Sequence, residues 1–177
     1  MSSKLKNEVL EWVKTIAIAF ALALLITQFV RPTIVDGESM YPTLEHKDYL
    51  IINRMAYKIG KPDKGDIVVF ETDLKQSNGK NKDLVKRVIA TEGDHLKIED
   101  SKVYVNEKLI DEPYIKENYT DGNIDITIPE GKLFTMGDNR ERSKDSRMAD
   151  VGLVDESDVM GKVMIRLFPF DSIGYVK

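Results

Sequence analysis

"GDIVVFETDLKQSNGKNKDLVKRVIATEG" occupies residues 65–93, and its reading decides the fold. Two runs rich in Val, Ile and Phe (65–72 and 83–93) flank the polar stretch 73–83. Asn78-Gly79 within it marks a hairpin connection. Working outward, "DYLIINRMAY" (48–57) has the same β-type composition. "HLKIEDSKVYVNEKLI" (95–110) predicts two short strands around an Asp100-Ser101 turn, and 118–139 predicts another pair. "VMGKVMIRLFPF" (159–170) predicts a closing strand. Pro113 and the polar "EPYIKENYTDGN" set off roughly 95–130 as a subsidiary lobe. The predicted fold class is mostly β: an antiparallel sheet core with a small inserted β lobe, preceded by one N-terminal helix. No internal repeat or low-complexity tract interrupts this pattern.

That helix is "WVKTIAIAFALALLITQFV" (12–30), with no charge between Lys14 and Arg31. About 18 residues at 1.5 Å each span roughly 27 Å, close to the hydrocarbon thickness of a bilayer. Lys14 lies near the entry end, where its stem can snorkel to the interface. A cleaved signal peptide would place its small-x-small triplet after the apolar run; here Ala17, Ala19, Ala21 and Ala23 lie inside it. The reading is therefore a retained anchor over 12–30, with residues 1–11 before it and 31–177 after it. Lys4, Lys6 and Lys14 precede the span and Arg31 alone follows closely. This bias predicts a single-pass protein of the cell membrane with a cytoplasmic N-terminus and residues 31–177 outside.

Composition narrows the chemistry. The 177 residues carry a net charge of −4 and no basic stripe, which argues against a nucleic-acid partner. The absence of cysteine removes thiolate catalysis, disulfides and cysteine zinc sites. Two separated histidines without H-E-x-x-H give no catalytic metal site, and none is expected. His46 and His95 sit in charged surroundings and read as surface residues.

Three stretches could share a site. In "GESMYPTL" (37–44), Gly37 permits a tight backbone and Pro42-Thr43 supplies a turn just after Ser39. That setting suits a nucleophile whose hydroxyl projects while its N–H faces an oxyanion; a plain turn serine fits it as well. In "DLVKRVIA" (83–90), strand alternation puts Leu84, Lys86, Val88 and Ala90 on one face and Val85, Arg87 and Ile89 on the other. Each face holds one cation, so period does not choose between them. Arginine keeps its proton in a protein, whereas a desolvated lysine can lose one, which leaves Lys86 as the candidate general base or else an edge lysine reaching for water. In "GDNRERSKDSR" (137–147), Asp145 can pair with Arg147 or Arg140, and Ser143 could hydrogen-bond a base lysine. A solvated charged loop is the simpler alternative.

Taken together and in this order, "GESMYPTL", "GDIVVF", "KRVIATEGD" and "GDNRERSKDSR" resemble the motifs of bacterial type I signal peptidases, the membrane-anchored Ser-Lys proteases. The single anchor and short chain are similar to the Gram-positive type. The resemblance implies Ser39 as nucleophile and Lys86 as general base. It implies Ser143 as the serine that orients the base, and Asp145, Arg147 and Arg140 as the supporting network. It also implies a largely antiparallel β core with a smaller lobe between the second and third motifs. The implied reaction removes signal peptides from exported preproteins after small-x-small sequences, with no cofactor. Preproteins and the lipid bilayer are the implied partners, and the secretion machinery is a possible neighbour. Gram-negative members carry an oxyanion-stabilising serine at the position of Gly37. Small-residue specificity would come from shallow apolar pockets, for which Val35, Met40, Leu44, Val69 and Val85 are candidates, and substrate would dock as an added strand. Two other functions compete with this one. A self-cleaving Ser-Lys regulator would have no use for an anchor, and no Ala-Gly or Cys-Gly cleavage site precedes Ser39; a non-enzymatic anchored envelope module would use the β domain for binding and leave an Ala-x-Ala preprotein peptide uncut.

Overall fold

The computed structural model describes residues 3–76 and 79–176; Asn78 of the expected Asn-Gly turn lies outside them. Helix α1 (Ser3–Phe29) is followed by strands β1 (Val30–Ile34) and β2 (Tyr49–Asn53), a short helix α2 (Ala56–Ile59), and the long strands β3 (Ile67–Lys75) and β4 (Asn81–Ala90). Four short strands come next: β5 (His95–Glu99), β6 (Lys102–Val105), β7 (Lys108–Leu109) and β8 (Ile124–Thr127). The chain ends with β9 (Lys132–Met136), β10 (Val154–Asp155), β11 (Val159–Phe168) and β12 (Gly174–Tyr175).

Lys6–Phe29 is long and apolar enough to cross a membrane, with a mean hydropathy of 2.1 and none of its most apolar window buried against the rest of the protein. The helix begins nine residues before the predicted start at Trp12, and Val30 belongs to β1. Pro32 ends any helical continuation, because it removes a donor and restricts the residue before it.

The main sheet has the order β1-β2-β11-β3-β4-β9-β10, with β12 on β11. Its pairings are antiparallel throughout. β5–β8 form a second, four-stranded antiparallel sheet in the order β7-β6-β5-β8. It is inserted in the sequence between the neighbours β4 and β9. Asp100 and Ser101 both adopt positive φ, as a tight β5–β6 turn requires, and Asn106-Glu107 repeats the device before β7. The stretch 95–110 therefore holds three strands where two were expected.

Two other expectations change. The strands within 118–139 do not pair with each other: β8 joins β5 and β9 joins β4. β11 closes nothing, since it lies between β2 and β3. Composition marks a strand but carries no information about its partner, which is set by burial on both faces.

The core explains the choice. Ile67 and Val69 of β3 pack with Met40, Leu44, Leu50 and Ile52 on one side of the sheet. Val68 and Phe70 pack with Leu84, Val88 and Leu133 on the other. Ile89, Phe134 and Met136 join the second sheet through Leu96, Ile98 and Val103. With both faces of β3 and β4 covered, a side chain on either face is taken out of water.

Candidate active site

Ser39 lies in the loop between β1 and β2, and that loop is closed locally. Val35 N–H donates to Asp48 O and Lys47 N–H to Val35 O, both at 2.9 Å. Inside the loop, Tyr41 N–H donates to Glu38 O (3.1 Å) and Leu44 N–H to Met40 O (2.9 Å). Met40 and Leu44, 1 % and 0 % exposed, pin this turn into the core. Ser39 is left at the surface of a cleft of ≈ 660 Å³.

Lys86 projects from β4 into the same cleft. Its Nζ donates to Ser39 Oγ at 2.6 Å and to Val85 O at 3.0 Å. The side chain is 1 % exposed. Burial pushes its pKa down to about 8, with Lys82 acting in the same direction and the Asp145 and Asp138 carboxylates opposing it. A hydroxyl and an amine whose neutral form is within reach near neutral pH therefore stand within proton-transfer distance.

The loop after β9 builds the floor. Gly137 N–H donates to Asp145 Oδ2 (3.0 Å), and Arg147 grips the same carboxylate with Nε (2.8 Å) and Nη2 (2.9 Å). Burial alone would push the Asp145 carboxyl up; the Arg147 hydrogen bonds and charge outweigh it and hold the group below the usual carboxylate range. Gly137 is there for space. A Cβ on it would meet Ser143 Oγ at 2.2 Å and Ser39 O at 2.3 Å. Among the described residues, no group of three or more His, Asp or Glu side chains could hold a metal ion.

A family model described as signal peptidase, peptidase S26, matches residues 9–168. Signal peptidase IB of Staphylococcus aureus (strain MRSA252) is 39% identical over 190 residues, covering 97% of this chain and 95% of that protein. Signal peptidase I of Bacillus licheniformis is 39% identical over 183 residues, with the same shares covered. This chain belongs to the bacterial type I signal peptidases. A crystal structure of a signal peptidase I from Enterococcus faecalis V583 aligns at 31% identity over 58% of this chain and 96% of that one, with a TM-score of 0.47.

In this signal peptidase the remaining expected residues fall into three groups. Val35, Met40, Val69 and Val85 line the cleft. Leu44 does not: it is fully buried with Leu50 and Ile52, because the turn that projects Ser39 must bury an anchor behind it. Ser143 Oγ is buried and meets no partner in full hydrogen-bond geometry, so the expected bond to Lys86 is not formed; its hydroxyl does lie near enough to Asp145 to help hold that carboxyl down. Arg140 does not pair with Asp145. Its Nη2 and Nη1 reach Glu112 (2.5 and 3.1 Å), its Nη1 also bonds Thr120, and Nε donates to Gly137 O (3.1 Å). Sequence spacing allowed either arginine beside Asp145. Asn139–Arg142 forms a capped turn, Asn139 accepting from Arg142 N–H, which aims Arg140 at the 112–120 segment.

Gly37 differs in backbone. Its φ is +110°, a region that L side chains rarely adopt, although nothing lies within 4 Å of where a Cβ would be. Its N–H donates to His46 Nδ1 at 3.2 Å. His46 is half-exposed yet holds the loop, and His95 bridges Glu107 (2.8 Å) and Asp125 (2.7 Å) in the second sheet. Burial of the site also depends on residues to which the sequence assigned no role. Asn139 N–H donates to Ser39 O (3.1 Å) and its Nδ2 to Glu38 O (3.0 Å). Asp138 accepts from Thr43 Oγ1 (2.5 Å) and from Arg87 Nε and Nη2 (2.9 and 2.7 Å). Arg87 also lies 3.9 Å over the Tyr114 ring. The signal was present: an arginine on the face opposite Lys86 among apolar residues needs a buried anion.

Proposed function

We propose that this chain is a membrane-anchored serine endopeptidase that removes signal peptides from exported preproteins after small-x-small sites, with Ser39 as nucleophile and Lys86 as general base. The observation that carries the reading is the 2.6 Å contact between Lys86 Nζ and Ser39 Oγ, made by a buried lysine. With a pKa of about 8, roughly a tenth of the amine is neutral at pH 7, about two hundred times the share of an ordinary lysine. Neutral Nζ takes the Oγ proton as Oγ attacks the scissile carbonyl carbon. The resulting ammonium protonates the departing amine, leaving an acyl-enzyme. Lys86 then takes a proton from water, whose oxygen displaces Ser39 Oγ from the acyl group.

Ser39 N–H serves the oxyanion, and Gly37 brings no second hydroxyl to it. Asp145, held by Arg147, fixes Gly137 and faces Lys86 with a negative charge. Ser143 is a positioning residue whose hydroxyl can receive the lysine proton donor once Ser39 Oγ has turned to substrate. Arg140 positions the same loop through Glu112. Val35, Met40, Val69 and Val85 give apolar walls suited to small side chains. Residues 12–30 lie in the lipid bilayer with the N-terminus in the cytoplasm. Residues 31–177 lie outside it, with 95–130 as the lobe, close to where preproteins leave the secretion machinery.

The test uses the full chain in detergent and a preprotein peptide carrying Ala-x-Ala. Ser39→Ala and Lys86→Arg should each abolish cleavage while circular dichroism and melting stay those of a folded protein, because guanidinium cannot accept the serine proton. Substantial turnover by either variant overturns the dyad.

A further inference from the structure

Among the contacts that join the nucleophile-bearing segment to β4, two lie along the cleft. One is the Lys86–Ser39 pair. The other lies three residues earlier on β4: Arg31 Nη2 is 3.5 Å from Asp83 Oδ2. Arg31 is two residues past Phe29, the last residue of α1, and its Nη1 also donates to Met160 Sδ of β11 at 3.4 Å. In the sheet β1 pairs with β2 and not with β4, so no backbone ladder spans this gap. Asp83 lines the cleft three residues before Lys86 on the same strand. At about 3.3 Å per residue, roughly 10 Å of strand separates Asp83 from Lys86, the length of about three extended residues.

We propose that the Arg31–Asp83 ion pair is a length gate: it closes the membrane-side end of the cleft and sets how many extended residues a substrate places between its apolar helix and the scissile bond. The inference rests on the proposed peptidase reading. A signal peptide's apolar helix shares the bilayer with α1, and so leaves it beside Arg31. A connecting segment of about three residues runs from the pair to Ser39 without disturbing it. A longer one must part the pair or bulge around it. The two side chains are 44% and 37% exposed, so parting them costs little. The discrimination against long segments is correspondingly modest, up to about fivefold in rate, and it weakens as salt screens the pair.

The experiment uses the full-length chain in detergent and a set of preproteins with one apolar helix and one Ala-x-Ala site. The connecting segment varies from about three to eight residues, spanning the roughly 10 Å of strand between Asp83 and Lys86 and beyond. A soluble peptide too short to reach Arg31 normalises each enzyme to itself. The parent should disfavour the longer segments by up to about fivefold. Arg31→Gln and Asp83→Asn should each flatten that profile, and the exchanged double variant Arg31→Asp/Asp83→Arg should restore it. Single variants that keep the parent's profile overturn the gate. Flattening that the exchange does not restore overturns the pairing. A parent that fails on the soluble peptide itself removes the Ser-Lys reading, and the gate with it.

Discussion

Gly137→Ala tests how tightly the floor of the site positions the nucleophile. The added methyl would lie 2.3 Å from Ser39 O, 2.2 Å from Ser143 Oγ and 2.5 Å from Ser143 Cβ. Real Cβ contacts stay beyond 3.0 Å, so the Ser39 carbonyl must retreat by roughly 0.7 Å unless Gly137 itself moves. Movement of Gly137 pulls on Asp145, whose Oδ2 accepts the Gly137 N–H. Either route displaces Ser39 Oγ from Lys86 Nζ, and a misplacement near 1 Å costs on the order of 10²-fold. Overpacking adds about 1–3 kcal/mol of destabilisation, which in a chain of this size lowers Tm by roughly 2–4 °C per kcal/mol. Peptide cleavage measured as separate kcat and KM, beside a melting curve, reads both effects. The expected result is a kcat loss on the order of 10²-fold with KM nearly unchanged and a modest fall in Tm. A kcat within threefold of the parent, at a Tm unchanged or lowered, would refute the claim that close packing at Gly137 aims the nucleophile.

Four further outcomes follow from the same geometry. The base must be neutral, so kcat/KM should fall below about pH 8 with the Lys86 titration; an acid limb at carboxylate values would point to another base. The folded-state pKa of Lys86 lies below its unfolded value, so the unfolded chain binds more protons between about pH 8 and 10.4 and stability rises with pH across that window. Lys86→Met should therefore melt above the parent at pH 7, by the equivalent of about 3 kcal/mol, with the gap closing above pH 10; equal melting at pH 7 would count against the burial cost. Arg147→Met leaves the buried Asp145 carboxylate without its cation and should cost about 3–5 kcal/mol, read by denaturant unfolding, and a loss under 1 kcal/mol would mean Asp145 has found another partner. Gly37→Ala and Gly37→Ser should each cost about 1–3 kcal/mol, because a Cβ is forced into positive φ despite open space around it. Unchanged melting of either variant would show that the backbone relaxes freely there.

By itself the sequence determined the elements and the chemistry. The apolar run before Pro32, the β-type runs at 48–57, 65–72 and 83–93, and the Asp100-Ser101 turn are local signals, written in hydropathy and in residues that tolerate special φ. The preference for Lys86 over Arg87 is also local, because it depends on what each side chain can do with a proton. The tertiary structure decided what no local pattern encodes. It put β11 between β2 and β3 and sent β8 to a second sheet, since strand partners are chosen by which faces can be buried together. It gave Asp145 to Arg147 and sent Arg140 to Glu112, a choice between two nearby arginines that only the direction of the 140–142 turn makes. It buried Leu44 and left Ser143 without the expected bond to Lys86. The 2.6 Å between Lys86 and Ser39 is of the same kind. The two residues are 47 positions apart, and the distance exists only because the sheet covers both faces of β4 while Asn139 and Gly137 hold the Ser39 backbone against it.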